Sequence, residues 1–212
     1  MQRMTELAQI HASRGFFMRG EAAVWMRGSK DSLGAMLKRA VASGEILRIC
    51  RGLYGLDRRY LRESLHPYVL AQPMYGPSYI SMESALSYHG WIPEAVHAVT
   101  SATVRRSATF NTPFGPFSFT RVAQRTFFAG VERVEVGPGA VFLLASPLKA
   151  LADYVHVHAL ATESPPDLIA SLRVDVHALA AQSPAAYTEV AAAGYGSAVR
   201  QFMSKLAQLQ HP

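Results

Sequence analysis

The sequence predicts an α+β protein in two parts. A small basic domain covers residues 1–62, and a mixed domain over 63–212 combines a small β-sheet with a helical C-terminal part. Three observations support this: charge is segregated, the hydrophobic period changes along the chain, and prolines collect between the two parts. Residues 1–62 hold twelve of the 21 lysines and arginines against five acids, a balance of +7. The remaining 150 residues hold nine basic and ten acidic side chains, a balance of −1. A surplus serving only solubility would be spread along the chain, so the net +6 marks the first part as the one that meets a polyanion. The boundary falls in "DRRYLRESLHPYVLAQPMYGPSY", where Pro67, Pro73 and Pro77 interrupt regular structure. At 212 residues, half of them hydrophobic, the chain is long enough to bury a sizeable core.

The basic part reads as three helices and a hairpin. "MTELAQIHAS" places Met4, Leu7 and Ala8, with His11, on one side of a short helix. "GEAAVWM" forms a second, and Gly28-Ser29 breaks it. Ser29 can cap a third helix by accepting backbone N–H bonds left free at its start. That helix runs through "KDSLGAMLKRAVAS" and stops at Gly44, which tolerates a left-handed conformation. Leu33, Met36, Leu37, Ala40 and Val41 recur at helical spacing and face the core. Asp31, Ser32, Ala35, Lys38, Arg39 and Ala42 form the opposite face, basic and small enough to approach a groove closely. "EILRICRGLYGL" supplies two strands turning at Arg51-Gly52. Three helices followed by a basic hairpin describe a winged helix-turn-helix, whose third helix enters the major groove of DNA while its wing follows the backbone. The DNA-binding candidates are Ser29, Lys30, Ser32, Lys38 and Arg39 around the third helix, and Arg48 and Arg51 on the wing. Phosphate contacts from such residues give affinity and register without sequence information. Cys50 in the hairpin reads as a small apolar residue; neighbouring arginines lowering its pKa would be needed for redox sensing.

The second part opens with "YISMESALSYHGWIPE", whose serines, glutamates and histidine resemble a hydrolase's working set. The local pattern argues otherwise. Ser81 stands at a helix start as a cap, Glu83 in the first turn meets the positive end of the helix dipole, and Gly90 and Pro93 end the helix. Met82, Ala85, Leu86 and His89 share its apolar face, so His89 is expected to be packed and hydrogen-bonded. No G-x-S-x-G elbow surrounds Ser81, Ser84 or Ser87. "AVHAVTSAT", "FSFTRV", "VERVEV" and "AVFLLA" are strands, with turns at "NTPFGPF" and "GPGA". Glu132 and Glu135 mark an exposed strand edge. "SPLKALADYVHVHAL", "PPDLIASLRVDVHALAAQ" and "SAVRQFMSKLAQLQ" are helices, the first with Pro147 in the first turn.

No enzyme constellation emerges from this pattern. "GPG" lacks the length and the Lys-Ser/Thr of a phosphate loop, and the window after Gly28-Ser29 holds Lys38 and Arg39 where a nucleotidyltransferase needs acids. His156 and His158 are two apart and point about 200° away from each other on a helix. Asp153 with His156 is better spaced for a metal but lacks a third ligand. Neither a cofactor nor a metal is expected. One cysteine rules out an internal disulfide framework and fits a reducing cytoplasm. There is no signal-like start and no run of about 18 apolar residues, so a cytoplasmic protein without membrane attachment is expected.

Taken in order, "SGEILRICRGLYGL", "YISMESALSYHGWIPE", "VTSATVRR" with "FNTPFGPFSFTRV", and "ASPLKALADYVH" resemble the AbiEi-type antitoxins of type IV toxin–antitoxin systems. The resemblance runs from about Ser29 to about His158, some three-fifths of the chain. It implies a winged-helix domain that represses the antitoxin's own operon by binding double-stranded DNA at its operator. It further implies a C-terminal domain that counters a nucleotidyltransferase-like toxin, without requiring a stable complex. In the second domain it carries over structural blocks only, with Arg105 and Arg106 as exposed basic candidates at a strand end. A stand-alone transcriptional regulator with a ligand-sensing C-terminal domain is the alternative.

Overall fold

The computed structural model describes residues 4–26, 30–61 and 63–210, and of Lys30 only the backbone. The architecture is mixed α+β. Its N-terminal part runs α1 (Met4–His11), β1 (Phe16–Met18), α2 (Arg19–Trp25), α3 (Lys30–Ala42), β2 (Ile46–Cys50) and β3 (Leu53–Leu56). Among the described residues these strands form an antiparallel sheet of order β1-β3-β2. Helical spacing on α1 and α3 buries Met4, Leu7 and Ala8 against Leu33, Met36, Leu37 and Ala40. Gly44, at φ 68°, turns the chain out of α3. Glu21 supports the start of α2: one oxygen accepts from the Met18 N–H at 2.6 Å and the other pairs with Arg14 at 2.6 Å.

β1 does not show in the sequence pattern, because three residues are too few to establish an alternation. It nevertheless sets how the two parts join. Successive strand residues point to opposite faces. Phe17, with Ile46, Tyr54 and Leu56, therefore packs on the helices, while Phe16, with Ile49 and Leu53, joins the core of the second part. Gly55 leaves this far face open to Phe114, whose ring lies 3.1 Å from where a Cβ would stand. Two expectations for side chains fail here: Val41 is 36% exposed rather than core, and His11 is exposed and stacks on Trp25 at 5.4 Å. Both sit at the rim of their helix, where helical spacing alone does not separate core from edge.

Two single 3-10 turns, Arg58–Tyr60 and Pro67–Leu70, lead to α4 (Ala71–Tyr75), β4 (Ser78–Ile80) and α5 (Met82–Tyr88). Then come β5 (Val99–Thr103), β6 (Ala108–Thr112), β7 (Gly115–Arg121), β8 (Val131–Gly137) and β9 (Ala140–Ala145). Among the described residues β4 to β9 form one sheet of order β6-β7-β5-β4-β9-β8, parallel at β5/β7 and β4/β9 and antiparallel elsewhere. On this sheet pack α4, α5 and α6 (Pro147–Val157); the C-terminal helices α7 (Pro165–Ser171), α8 (Val176–Ala180), α9 (Pro184–Ala192) and α10 (Ser197–Gln210) follow, with α9 and α10 against α6. The single helix expected over "PPDLIASLRVDVHALAAQ" is two: Arg173 takes a positive φ of 50°, and the Asp175 carboxylate caps α8 by accepting from His177 and Ala178. Ser146 caps α6, with Pro147 in its first turn as expected. Among the described residues no helix is long and apolar enough to cross a membrane.

Candidate functional site

Two groups of charged residues differ in every physical respect. The first is an exposed cationic face on the N-terminal part. Lys38 and Arg39 lie outward on α3, Arg48 on β2 and Arg51 at the β2–β3 turn, all exposed. Among the described residues none of these four forms an ion pair, so their charge is available to a partner. Ser32 is exposed on the same helix; Ser29 lies outside the described residues, as does the side chain of Lys30. Arg19 belongs to this face although its sequence position, at the start of α2, does not suggest it. Its backbone N–H donates to the Gly52 carbonyl at 2.7 Å, and its guanidinium lies 3.7 Å from where a Cβ of Gly34 on α3 would be. Arg19 thus stands between α3 and the turn carrying Arg51, and only the pairing of β1 with β3 brings it there. Cys50, in the same hairpin, is a half-buried free cysteine. Burial pushes its thiol up, outweighing the Arg48 charge that acts in the other direction.

The second group is closed. Lys149 and Asp153, four apart on α6, have fully buried side chains 3.4 Å apart. On one carboxylate oxygen Asp153 accepts from the Tyr79 hydroxyl at 2.9 Å and the Ser81 hydroxyl at 2.7 Å. On the other it accepts from Gln124 Nε2 at 2.7 Å, from the Tyr195 hydroxyl and from Lys149 Nζ. Lys149 also donates to Gln124 Oε1 and, at 2.9 Å, to the Tyr195 hydroxyl. Burial holds the ammonium below the ordinary lysine range while the Asp153 charge pulls it back up. Burial, then the Asp153 charge, pushes the Tyr79 and Tyr195 hydroxyls well above the usual tyrosine value. These six residues come from β4 and the residue that follows it, α6, the loop after β7 and the loop between α9 and α10, so one carboxylate ties the sheet to the C-terminal helices. The sequence offers one signal of it: Lys149 and Asp153 are the charges in a helix otherwise apolar on nearly every side.

This network also corrects the reading of Ser81. At the start of α5 its side chain makes no cap bond and instead donates to Asp153. The Ser84 N–H is served by Thr100 Oγ1 at 3.0 Å, which in turn donates to the Ser81 carbonyl at 2.7 Å. A cross-strand threonine thus takes over the task of a local cap and frees Ser81 for the buried carboxylate. Ser84 Oγ accepts from the Thr100 N–H and Ser87 Oγ donates to the Glu94 carbonyl, so each serine of the stretch has a structural partner. His89 Nε2 lies 2.9 Å from the Ala145 carbonyl, packed and hydrogen-bonded. Asp153 and His156 part company: the former enters the network, and the latter sits beside the Tyr195 ring at 6.2 Å. His158 pairs with Glu83 at 3.5 Å. Among the described residues no three His, Cys, Asp or Glu side chains gather as metal ligands would. Compared with known proteins, the chain matches no family model and no curated protein.

Proposed function

We propose that the chain is a double-stranded DNA-binding antitoxin that represses its own operon and counters a nucleotidyltransferase-like toxin. One observation carries the DNA-binding reading. The order helix-strand-helix-helix-strand-strand with a small antiparallel sheet supports a winged helix-turn-helix reading, in which the exposed Lys38 and Arg39 lie on the helix that such a domain inserts. Arg19, Arg48 and Arg51 flank that helix at the wing. The antitoxin reading rests on the ordered motifs from Ser29 to His158. In this reading the cytoplasm is the working compartment, and the chain acts as a binding protein with no catalysis of its own. A second reading, a regulator that senses a small molecule, is favoured by a cavity of about 880 Å³ between the two parts, lined by Ile10, Arg14, Glu63, His66 and Pro138 among others.

Gel shifts on the DNA upstream of the gene, at two salt concentrations, test the first half. Salt-sensitive binding that prefers this DNA over random duplex is expected, and equal binding to both would sink autorepression. Co-expression with the adjacent gene tests the second half. Growth arrest by that gene's product, relieved by this protein, is expected; arrest without relief favours the ligand-sensing regulator.

A further inference from the structure

One edge of the six-stranded sheet is covered and the other is not. β6, at one end, lies against β2 of the N-terminal part. β8, at the other end, pairs with β9 on its inner side, and among the described residues no strand follows on its outer side. The register identifies the outward groups. The Ser146 N–H donates to the Gly130 carbonyl at 2.8 Å, and antiparallel bonding alternates along a strand. Glu132 and Val134 therefore bond to β9, while the N–H and C=O groups of Arg133 and Glu135 point away from it. The Val131 N–H, also outward, is taken by the Phe128 carbonyl at 3.2 Å. The register shift between Glu135 and Gly137 leaves Val131 to Glu135 regular.

An unpaired edge is a template for another strand, and folds usually blunt it with repelling charges, prolines or a covering element. β8 instead carries charges of both signs, in an order that complements itself. Consider two copies of β8 running antiparallel about a two-fold axis. An axis through Arg133 sets arginine against arginine, and one through Glu132 or Glu135 sets glutamate against glutamate. An axis through Val134 sets Arg133 of each copy against Glu135 of the other, and there the outward backbone groups also face each other. Arg133 and Glu135 already pair within the chain at 3.1 Å, with 61% and 49% of their side chains exposed, so a second copy closes a ring of alternating charges. Antiparallel pairing also brings the start of one strand to the end of the other. Phe128, before β8, is 46% exposed, and Val136, near its end, is 40% exposed, so each meets an apolar neighbour from the second copy. We propose that β8 is a homodimer interface, along which two copies of this chain pair antiparallel about an axis at Val134 and join their sheets into one. This does not depend on the DNA-binding reading.

Sedimentation velocity on the full chain over a concentration series tests the interface, with circular dichroism confirming that each variant folds. The unaltered protein should dimerise as concentration rises. Arg133→Glu and Glu135→Arg should each weaken dimerisation roughly a hundredfold, because like charges then oppose each other on both sides of the axis. An equimolar mixture of the two variants should recover most of the dimer, since each supplies the sign that the other lacks. Amide hydrogen exchange at Arg133 and Glu135 should slow as concentration rises. Protein that stays monomeric at its highest soluble concentration overturns the proposal. A dimer that survives both charge reversals overturns it as well, because association then uses another surface. So does a mixture of the two variants that stays monomeric, or a dimer in which the Arg133 and Glu135 amides exchange as fast as in the monomer.

Discussion

The cationic face of the N-terminal part and the Lys149–Asp153 network use the same chemistry to opposite ends. On α3 and the hairpin, positive charges stand in water without partners, where a charge contributes little to stability and much to a partner that brings phosphates. In the second part, one ammonium and one carboxylate are withdrawn from water and surrounded by hydroxyl and amide groups. There the charges have no partner outside the fold, and their hydrogen bonds link segments distant in the sequence. Residue type does not distinguish the two situations; exposure and satisfaction of hydrogen bonds do.

The comparison breaks most readily at Asp153. Asp153→Ala leaves a buried ammonium without its counter-charge and should cost about 3–5 kcal/mol, read as a fall in the denaturation midpoint. Lys149→Met/Asp153→Leu, which removes both charges, should recover most of that loss. A cost below about 1 kcal/mol for Asp153→Ala would show that the network does not hold the second part together. On the other side, Lys38→Glu/Arg39→Glu should weaken duplex binding by roughly ten- to a hundredfold while changing stability by less than about 0.5 kcal/mol. Unchanged binding would mean that α3 is not the inserted helix. Tyr195→Phe removes one hydroxyl that bonds to a charged group, an expected loss of about 1.5–3 kcal/mol in the same denaturation assay. Gly55→Ala drives a methyl group toward the Phe114 ring and should cost about 1–3 kcal/mol, with Phe114→Leu relieving part of it.

The smallest effect is in alkaline solution. Tyr195 keeps its proton in the folded state, where burial and the Asp153 charge hold its pKa well above 10, whereas an unfolded tyrosine ionises near 10. Above about pH 10 the unfolded state therefore binds fewer protons, and stability falls as pH rises. Lys149 acts with the opposite sign just below that range, because its depressed pKa makes the folded state lose a proton first. Tyr195→Phe leaves Lys149 in place, so its stability should decline less steeply above pH 10 than that of the unaltered protein. Identical declines would remove Tyr195 as a titrating member of the network.

What could be read from the sequence, and what could not, follows the range of each interaction. Spacing along the chain determined the apolar faces of α1 and α3, the stop at Gly44, the hairpin turn at Arg51-Gly52, the first turn of α6 and the concentration of charge in the first third. Apart from the charge balance, which is a sum over the first 62 residues, these are local properties, written in residues at most a few positions apart. The sequence also determined that Lys38, Arg39, Arg48 and Arg51 are candidates, since a charged residue opposite an apolar stripe faces water. Only the tertiary structure decided that Arg19 stands beside α3, because that follows from a three-residue strand pairing with β3 across 37 positions. It also decided that Ser81 serves Asp153 instead of its own helix, and that Tyr79 and Tyr195 close over the same carboxylate from 74 and 42 positions away. Burial is a property of the assembled fold, so a lysine that looks like any other in the sequence becomes the centre of a network once four segments have excluded water from it.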